Sequence, residues 1–93
     1  MRTVEYTHRF KRDYRREKSG RSGRTLDAAL MEVVHQLAAD TTLPRRHFDH
    51  PLSGNWNDHR DCHVRPDLVL IYRKPDSERL ELVRLGSHSE LGL

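Results

Sequence analysis

The apolar run LVLIY at residues 68–72 constrains the fold of this chain more than any other feature. Successive side chains of a β-strand point to opposite faces of a sheet, so a strand that is apolar at every position needs cover on both faces. The run therefore predicts a central strand. Turn residues stand close on either side of it, at Pro66 and at Pro75-Asp76, so its connections to neighbouring segments must be short.

Three strands are predicted in the second half of the chain and one at its start. Short connections imply antiparallel hairpins among the three, and the alternation of RTVEYT predicts the first strand. The predicted strands are Arg2 to Thr7, Asp58 to Val64, Leu68 to Lys74 and Arg79 to Leu85.

Two helices are predicted between the first strand and the other three. His8 to Lys18 follows a possible cap at Thr7 and is apolar only at Phe10 and Tyr14, which gives a narrow buried stripe and an Arg-rich exposed face. Thr25 to Ala39 has the 3.6-residue apolar period of a helix with one buried face. A helical hairpin with both stripes on one surface needs a sheet beneath it. The predicted fold is therefore α+β: an N-terminal strand and a two-helix hairpin packed on an antiparallel sheet of three further strands.

Length and composition predict one small domain over residues 1–93. No run reaches the roughly 20 apolar residues of a membrane span, and the N-terminal residues MRTVEYTHRF lack the apolar stretch of a signal peptide. The single cysteine, Cys62, has no partner for a disulfide within the chain and is predicted to be a small buried side chain. These features predict a cytoplasmic protein with no membrane partner.

Basic residues are concentrated at the N-terminus. Residues 1–24 hold nine Lys/Arg and three Asp/Glu, a net charge of +6, whereas residues 25–93 carry −3. Such an asymmetry attracts an RNA or DNA backbone or an acidic protein partner, although a solvated helix face accounts for it equally well.

Seven histidines are many for a chain of this length, and two of them stand where predicted strands end. His63 and Asp67 flank the turn between two predicted strands. His88 follows the last strand, which runs back toward the same edge of the sheet, so these three residues are predicted to converge. His50 lies before Pro51 in an irregular segment.

Converging imidazoles suit acid–base chemistry, because histidine both takes and gives protons near neutral pH. Cleavage of RNA needs a base for the ribose 2′-OH, an acid for the departing 5′-oxygen and cations for the charge on phosphorus. It requires no metal and no covalent intermediate. Arg84, which leads into His88, is the strongest candidate for the cationic role, ahead of Arg60 and Arg65.

Other residues that carry chemistry have less specific patterns. His59 and His63 are about 13 Å apart on one face of a strand, which is too far to share a metal ion. We therefore predict no metal site and no cofactor. Trp56 is as well suited to stacking on a nucleic-acid base as to packing, whereas Tyr72 is predicted to pack in the core.

Four segments together resemble one known family. They are DHPLSGNW at residues 49–56, RDCHVRPD at residues 60–67, LIY at residues 70–72 and RLGSHSEL at residues 84–91. In this order they resemble the YafQ-type toxins, which belong to the RelE/ParE superfamily of bacterial type II toxin–antitoxin systems. The motifs cover about the C-terminal half of the chain, and the N-terminal half fits the family's strand–helix–helix start without a specific motif.

The resemblance implies a RelE-like, microbial-ribonuclease-type fold and an mRNA interferase that cleaves messages on the translating ribosome. It implies an active site of His50, His63, Asp67 and His88, with Arg84 on the phosphate. Our hypothesis is that His50 and His63 hold and activate the ribose and the phosphate, Asp67 tunes or shares the proton abstraction, and His88 is the acid.

The resemblance also implies partners. They are the 70S ribosome with its mRNA and a cognate antitoxin that neutralises the toxin. We expect an acidic, partly disordered antitoxin segment to cover the basic N-terminal helix and the active-site edge. Promoter DNA is expected as a partner only through the antitoxin complex.

Gly92 departs from the family pattern, which commonly has an aromatic residue there that contacts RNA bases. One stacking contact is worth roughly 1–3 kcal/mol, so weaker activity or an altered codon preference is expected. Two other functions stay open on the sequence: a binding-only relative that inhibits another target such as gyrase, and a catalytically silent subunit that binds an antitoxin or DNA.

Overall fold

A five-stranded sheet forms the centre of the computed structural model, which describes residues 1–93. The strands β3, β4 and β5 are antiparallel neighbours, as predicted, whereas β1 joins the outer edge of β5 in parallel. The spatial order is β1-β5-β4-β3-β2. The strands are β1 (Thr3–Tyr6), β2 (His50–Pro51), β3 (Arg60–Arg65), β4 (Leu68–Arg73) and β5 (Arg79–Gly86). The predicted α+β class is confirmed, but β2 was not predicted because two residues are too few to carry an alternating pattern.

Two long helices, α1 (His8–Lys18) and α2 (Gly23–Ala38), form the predicted hairpin. The hydroxyl of Thr7 caps α1 by accepting a hydrogen bond from the Phe10 amide at 3.0 Å. The second helix begins two residues earlier than predicted, at Gly23. A Cβ there would lie 1.9 Å from the Lys18 carbonyl oxygen, so only glycine fits this tight connection.

A third helix, α3 (His88–Leu91), is one turn long and was not predicted. Its start is a capping box: the Ser87 hydroxyl accepts from the Glu90 amide, and the Glu90 carboxylate accepts from the Ser87 amide. The Ser-x-x-Glu spacing was therefore the available signal for this helix. No helix of the chain has the length and apolar character needed to cross a membrane.

The two faces of the sheet have separate apolar clusters. The larger cluster lies between the sheet and the helices α1 and α2, and it includes the predicted core residues Cys62 and Tyr72. The smaller cluster lies on the opposite face. Its buried members are Val69, Ile71 and Leu91. Because β4 supplies side chains to both clusters, the prediction of a central strand is confirmed.

The helix α1 protects the edge of β5 beyond the point where β1 ends. The Asp13 carboxylate accepts a hydrogen bond from the Leu85 amide at 3.0 Å, and the Arg16 guanidinium donates to the Leu85 carbonyl at 2.9 Å. These side chains take the place of a neighbouring strand. The C-terminal half of β5, which leads into α3, is thereby fixed against α1.

Candidate active site

The alternation of β3 divides its side chains between the two faces of the sheet. Cys62 lies in the cluster beneath the helices, so Asp61 and His63 face the opposite side. The strand register places Asp61 beside His50 on β2, and it places Arg84 two strands away in the same row. The face that α1 and α2 leave uncovered therefore carries the charged and titratable groups.

Three of the four predicted catalytic residues lie on this face. The ring centroids of His63 and His88 are 5.0 Å apart, because α3 turns His88 back over the sheet at the level of His63. Nδ1 of His50 lies 3.2 Å from Oδ1 of Asp61. His50 and His88 are exposed and His63 is half-buried, so a ligand has access to all three imidazoles.

The backbone fixes the proton of His50 on one nitrogen. Nδ1 of His50 is 2.7 Å from the Phe48 carbonyl oxygen. A carbonyl oxygen only accepts hydrogen bonds, so Nδ1 carries the hydrogen and donates it. In the neutral ring the other nitrogen, Nε2, is then the basic one, and half of the side chain is exposed to solvent.

Asp61 is the carboxylate of this cluster, although it was not among the predicted site residues. Its side chain is buried, and Oδ1 accepts no hydrogen bond, because the hydrogen of His50 Nδ1 points to Phe48. Burial raises the pKa of Asp61, and positive charge on His50, His63 and His88 opposes that rise. An ionised Asp61 would in turn stabilise protonated imidazoles around it. The sequence held two signals for Asp61: a mid-strand Asp two residues before His63, and its place in the segment RDCHVRPD at residues 60–67.

His47 holds the backbone of His63 in place. It is buried, and its Nδ1 donates to the His63 carbonyl oxygen at 2.6 Å. This bond ties the loop before β2 to β3 at the position of His63. His47 therefore has a structural role.

Arg84 lies in an arginine-lined cavity that is linked to α3 by the ion pair of Arg16 with Glu90 at 3.5 Å. Its guanidinium donates to Asp13 at 2.6 Å, and both side chains are largely buried. Burial alone would raise the pKa of Asp13, but the hydrogen bonds from Arg84 and from the Leu85 amide lower it, so this carboxylate stays ionised. The cavity measures about 340 Å³, and its lining residues are Arg9, Arg12, Asp13, Arg16 and Arg84.

The structure places the two other predicted phosphate ligands elsewhere. Arg60 points to the helix side of β3, where it donates to Asp49 at 3.3 Å. A bulge between His63 and Arg65 turns Arg65 away from the histidines, and Arg65 donates to Thr25 of α2 at 2.7 Å. Both arginines therefore hold loops and helices in place. Arg60 faces away from the site by ordinary strand alternation, whereas Arg65 is turned away by the bulge, which the sequence pattern could not reveal.

Asp67 and Trp56 also lie outside the histidine cluster. Asp67 is exposed at the β3–β4 turn and forms no hydrogen bond or ion pair with a histidine; it borders a separate cleft with Arg65 and the α1–α2 connection. Its catalytic role stays a prediction. Trp56 is half-buried against the smaller apolar cluster, and its ring meets His59 edge-on. Packing accounts for most of its surface.

The fold and the site define a class of protein: a small α+β domain whose open sheet face combines imidazoles, a buried carboxylate and arginines. Such a set moves protons and stabilises a charged phosphorus centre. No three His, Cys, Asp or Glu side chains are placed to hold a metal ion together.

Comparison with known proteins identifies the family. Residues 2–92 match the model of the family described as the bacterial toxin of type II toxin–antitoxin system, YafQ. The chain is 34% identical to the protein named mRNA interferase toxin YafQ of Escherichia coli strain K12, over 98% of this chain and 96% of that protein. The chain belongs to the YafQ family of type II toxins, and the predicted resemblance is confirmed.

Solved structures agree with this assignment. A metal-bound toxin from Helicobacter pylori is 39% identical and superposes with a TM-score of 0.81, covering 98% of this chain and 99% of that one. The toxin in the E. coli DinJ–YafQ complex is 30% identical with a TM-score of 0.77, covering 98% of both chains. The similarity therefore extends over the whole fold, including the N-terminal half that has no specific motif.

Proposed function

We propose that this toxin is an mRNA interferase that cleaves RNA by attack of a ribose 2′-OH on the adjacent phosphate. The observation that carries the proposal is the cluster on the open sheet face, with the His63 and His88 rings 5.0 Å apart and His50 beside Asp61. Family membership and the name of the E. coli relative support mRNA cleavage as the activity. A binding-only or catalytically silent relative would not need such a cluster of histidines and a carboxylate.

We assign the steps from the position of each imidazole and, for His50, from its hydrogen bond to the backbone. His50 takes the proton of the 2′-OH on Nε2, because the Phe48 carbonyl holds the hydrogen on Nδ1. His88, exposed on α3, gives a proton to the departing 5′-oxygen, and His63, whose ring centroid is 5.0 Å from that of His88, holds the phosphate. Asp61 stabilises the imidazolium that forms. Asp67 keeps its predicted part in proton abstraction as a hypothesis to be tested beside Asp61.

The arginine-lined cavity supplies the cations for the RNA backbone. Arg84 and Arg16 pair with Asp13, and Arg16 also pairs with Glu17 and Glu90, whereas Arg9 and Arg12 make no ion pair. The cavity therefore has an excess of positive charge next to α3. Phosphate contacts of this kind position RNA without reading its sequence, which suits both mRNA and the ribosomal RNA around it.

We propose that the protein is cytoplasmic and has three partners. They are the 70S ribosome with its mRNA, a cognate antitoxin, and promoter DNA that it binds through that antitoxin. A groove on α1 and α2 fits an acidic antitoxin segment. Its apolar residues include Phe10, Tyr14 and Met31. Lys11 and Arg15 give it a basic rim, and its one carboxylate, Asp27, is paired with Lys18. Met31 is 58% exposed, so the groove presents apolar surface to solvent. Charge complementarity with this basic rim predicts an association rate that falls steeply with salt.

The test is to map mRNA ends after adding the protein to a reconstituted bacterial translation reaction. Three samples are compared: the unmodified toxin, His63→Ala, and His35→Ala as the matched control, because His35 is exposed on α2. Ribosome-dependent cuts at defined codon positions, lost only with His63→Ala, are the expected result. Intact message with blocked translation would refute the cleavage and favour a binding-only inhibitor. Intact message with normal translation would favour a silent subunit.

A further inference from the structure

Phe48 is an exposed aromatic side chain that touches the histidine cluster. Its ring centroid is 5.3 Å from that of His63, which is itself 5.0 Å from that of His88. The Phe48 residue is 65% exposed, the most of any aromatic residue in the chain. Packing therefore explains little of its surface, and the open face of the ring adjoins the place where the RNA bond would be cut.

The backbone of Phe48 is held in a conformation that non-glycine residues rarely adopt. Its φ is 46° and its ψ is 43°, in the left-handed region, which costs roughly 1–2 kcal/mol for a residue with a Cβ. Two hydrogen bonds hold it there: its amide donates to the Arg45 carbonyl, and its carbonyl accepts from His50. The same turn thus directs the carbonyl to one catalytic histidine and the ring to another.

The two aromatic positions suggested by the sequence do not offer such a surface. Trp56 is half-buried against the smaller apolar cluster, with its ring against His59. Position 92 is glycine, and nothing lies within 4 Å of where its Cβ would be. Proteins that act on single-stranded RNA stack its splayed bases on exposed aromatic rings. Phe48 is the ring available for this at the cluster.

We infer that Phe48 is the stacking platform for the base next to the cleaved bond and that it sets part of the cut-site preference. The inference rests on the proposed RNA cleavage and adds to it a base-binding subsite. The ligand is a nucleobase of single-stranded RNA. Every base can stack on an aromatic ring, but the strength of stacking differs between bases. The subsite therefore favours some codons without requiring one particular base.

The experiment compares Phe48→Leu, which keeps apolar volume and loses the aromatic face, with Phe48→Tyr, which keeps the face. His35→Leu is the matched control, because it removes an exposed ring from α2. Cleavage rates and cut-site distributions are measured in the reconstituted translation reaction. Phe48→Leu is expected to lower kcat/KM about ten- to a hundredfold, as the loss of one stacked base predicts. Phe48→Tyr is expected to stay within about threefold, and His35→Leu to have no effect.

A second measurement separates this inference from the proposed function. A 2′-O-methyl oligoribonucleotide cannot be cleaved by 2′-OH attack, and 2-aminopurine placed in it reports stacking by quenched fluorescence. Quenching by the unmodified toxin and by Phe48→Tyr, lost with Phe48→Leu, is the expected result even if cleavage itself is absent. An unchanged rate, cut pattern and quenching with Phe48→Leu would overturn the inference. So would equal losses in the Leu and Tyr variants, or a loss of antitoxin binding alone, which would make Phe48 a protein contact.

Discussion

Replacing Asp13 by alanine is expected to be among the most damaging single substitutions in this chain. The carboxylate accepts hydrogen bonds from Arg84 at 2.6 and 3.2 Å, from the Leu85 amide at 3.0 Å and from Arg16 at 3.1 Å. Asp13 and Arg84 are only 5% and 13% exposed. Removing one partner of a buried ion pair costs about 3–5 kcal/mol, which includes roughly 1–3 kcal/mol for the stranded Leu85 amide.

The loss of about 3–5 kcal/mol is a large share of the stability of a domain this small, which is about 5–15 kcal/mol in total. It corresponds to a fall in Tm of roughly 15–30 °C. Urea unfolding followed by circular dichroism measures the free energy directly. The matched control is Asp27→Ala, which removes an exposed ion pair with Lys18 and is expected to change little. A loss below about 1 kcal/mol for Asp13→Ala would refute the reasoning.

The pH dependence of the stability tests the same ion pair independently. The pKa of Asp13 is lowered in the folded protein from its ordinary value of 3.8, so its charge stabilises the fold above that value. This contribution is lost as the pH falls from about 4 through the lower folded-state pKa. The stability difference between the unmodified protein and Asp13→Asn should therefore be constant above about pH 5 and shrink below pH 4. A difference that grows at acid pH would contradict the ion pair.

Three further predictions concern the site and the glycines. Asp61→Asn is expected to lower kcat in the cleavage assay by at least tenfold and to shift the pH–rate profile; the same effects with Asp67→Asn alone would return the carboxylate role to Asp67. Gly23→Ala is expected to destabilise the fold by about 3 kcal/mol in urea unfolding, because the new Cβ would lie 1.9 Å from the Lys18 carbonyl oxygen. A loss below about 0.5 kcal/mol would show that the connection between α1 and α2 can move. Gly92→Phe is expected to raise the cleavage rate only a few-fold. A stacking gain of roughly 1–3 kcal/mol is offset by left-handed strain of roughly 1–2 kcal/mol at its φ of 73°. No gain in a matched reaction would mean that this position does not reach the RNA.

Local patterns in the sequence predicted most of the fold. The run at residues 68–72 predicted the central strand, the spacing of Phe10 and Tyr14 predicted the buried stripe of α1, and the apolar period predicted α2. These elements can be predicted because the buried residues of a helix or strand recur with the period of that element. The same patterns could not predict β2 or the parallel pairing of β1 with β5, since one is two residues long and the other joins the two ends of the chain.

The sequence by itself determined which residue types are present for the chemistry: imidazoles near strand ends and a basic N-terminal helix. Only the tertiary structure decided which of them meet. Strand register brought Asp61 to His50, a bulge turned Arg65 away, and a left-handed turn set Phe48 against His63. The physical reason is that a one-residue shift in a strand moves a side chain to the other face of the sheet, and the long-range pairing that fixes this shift leaves no local pattern.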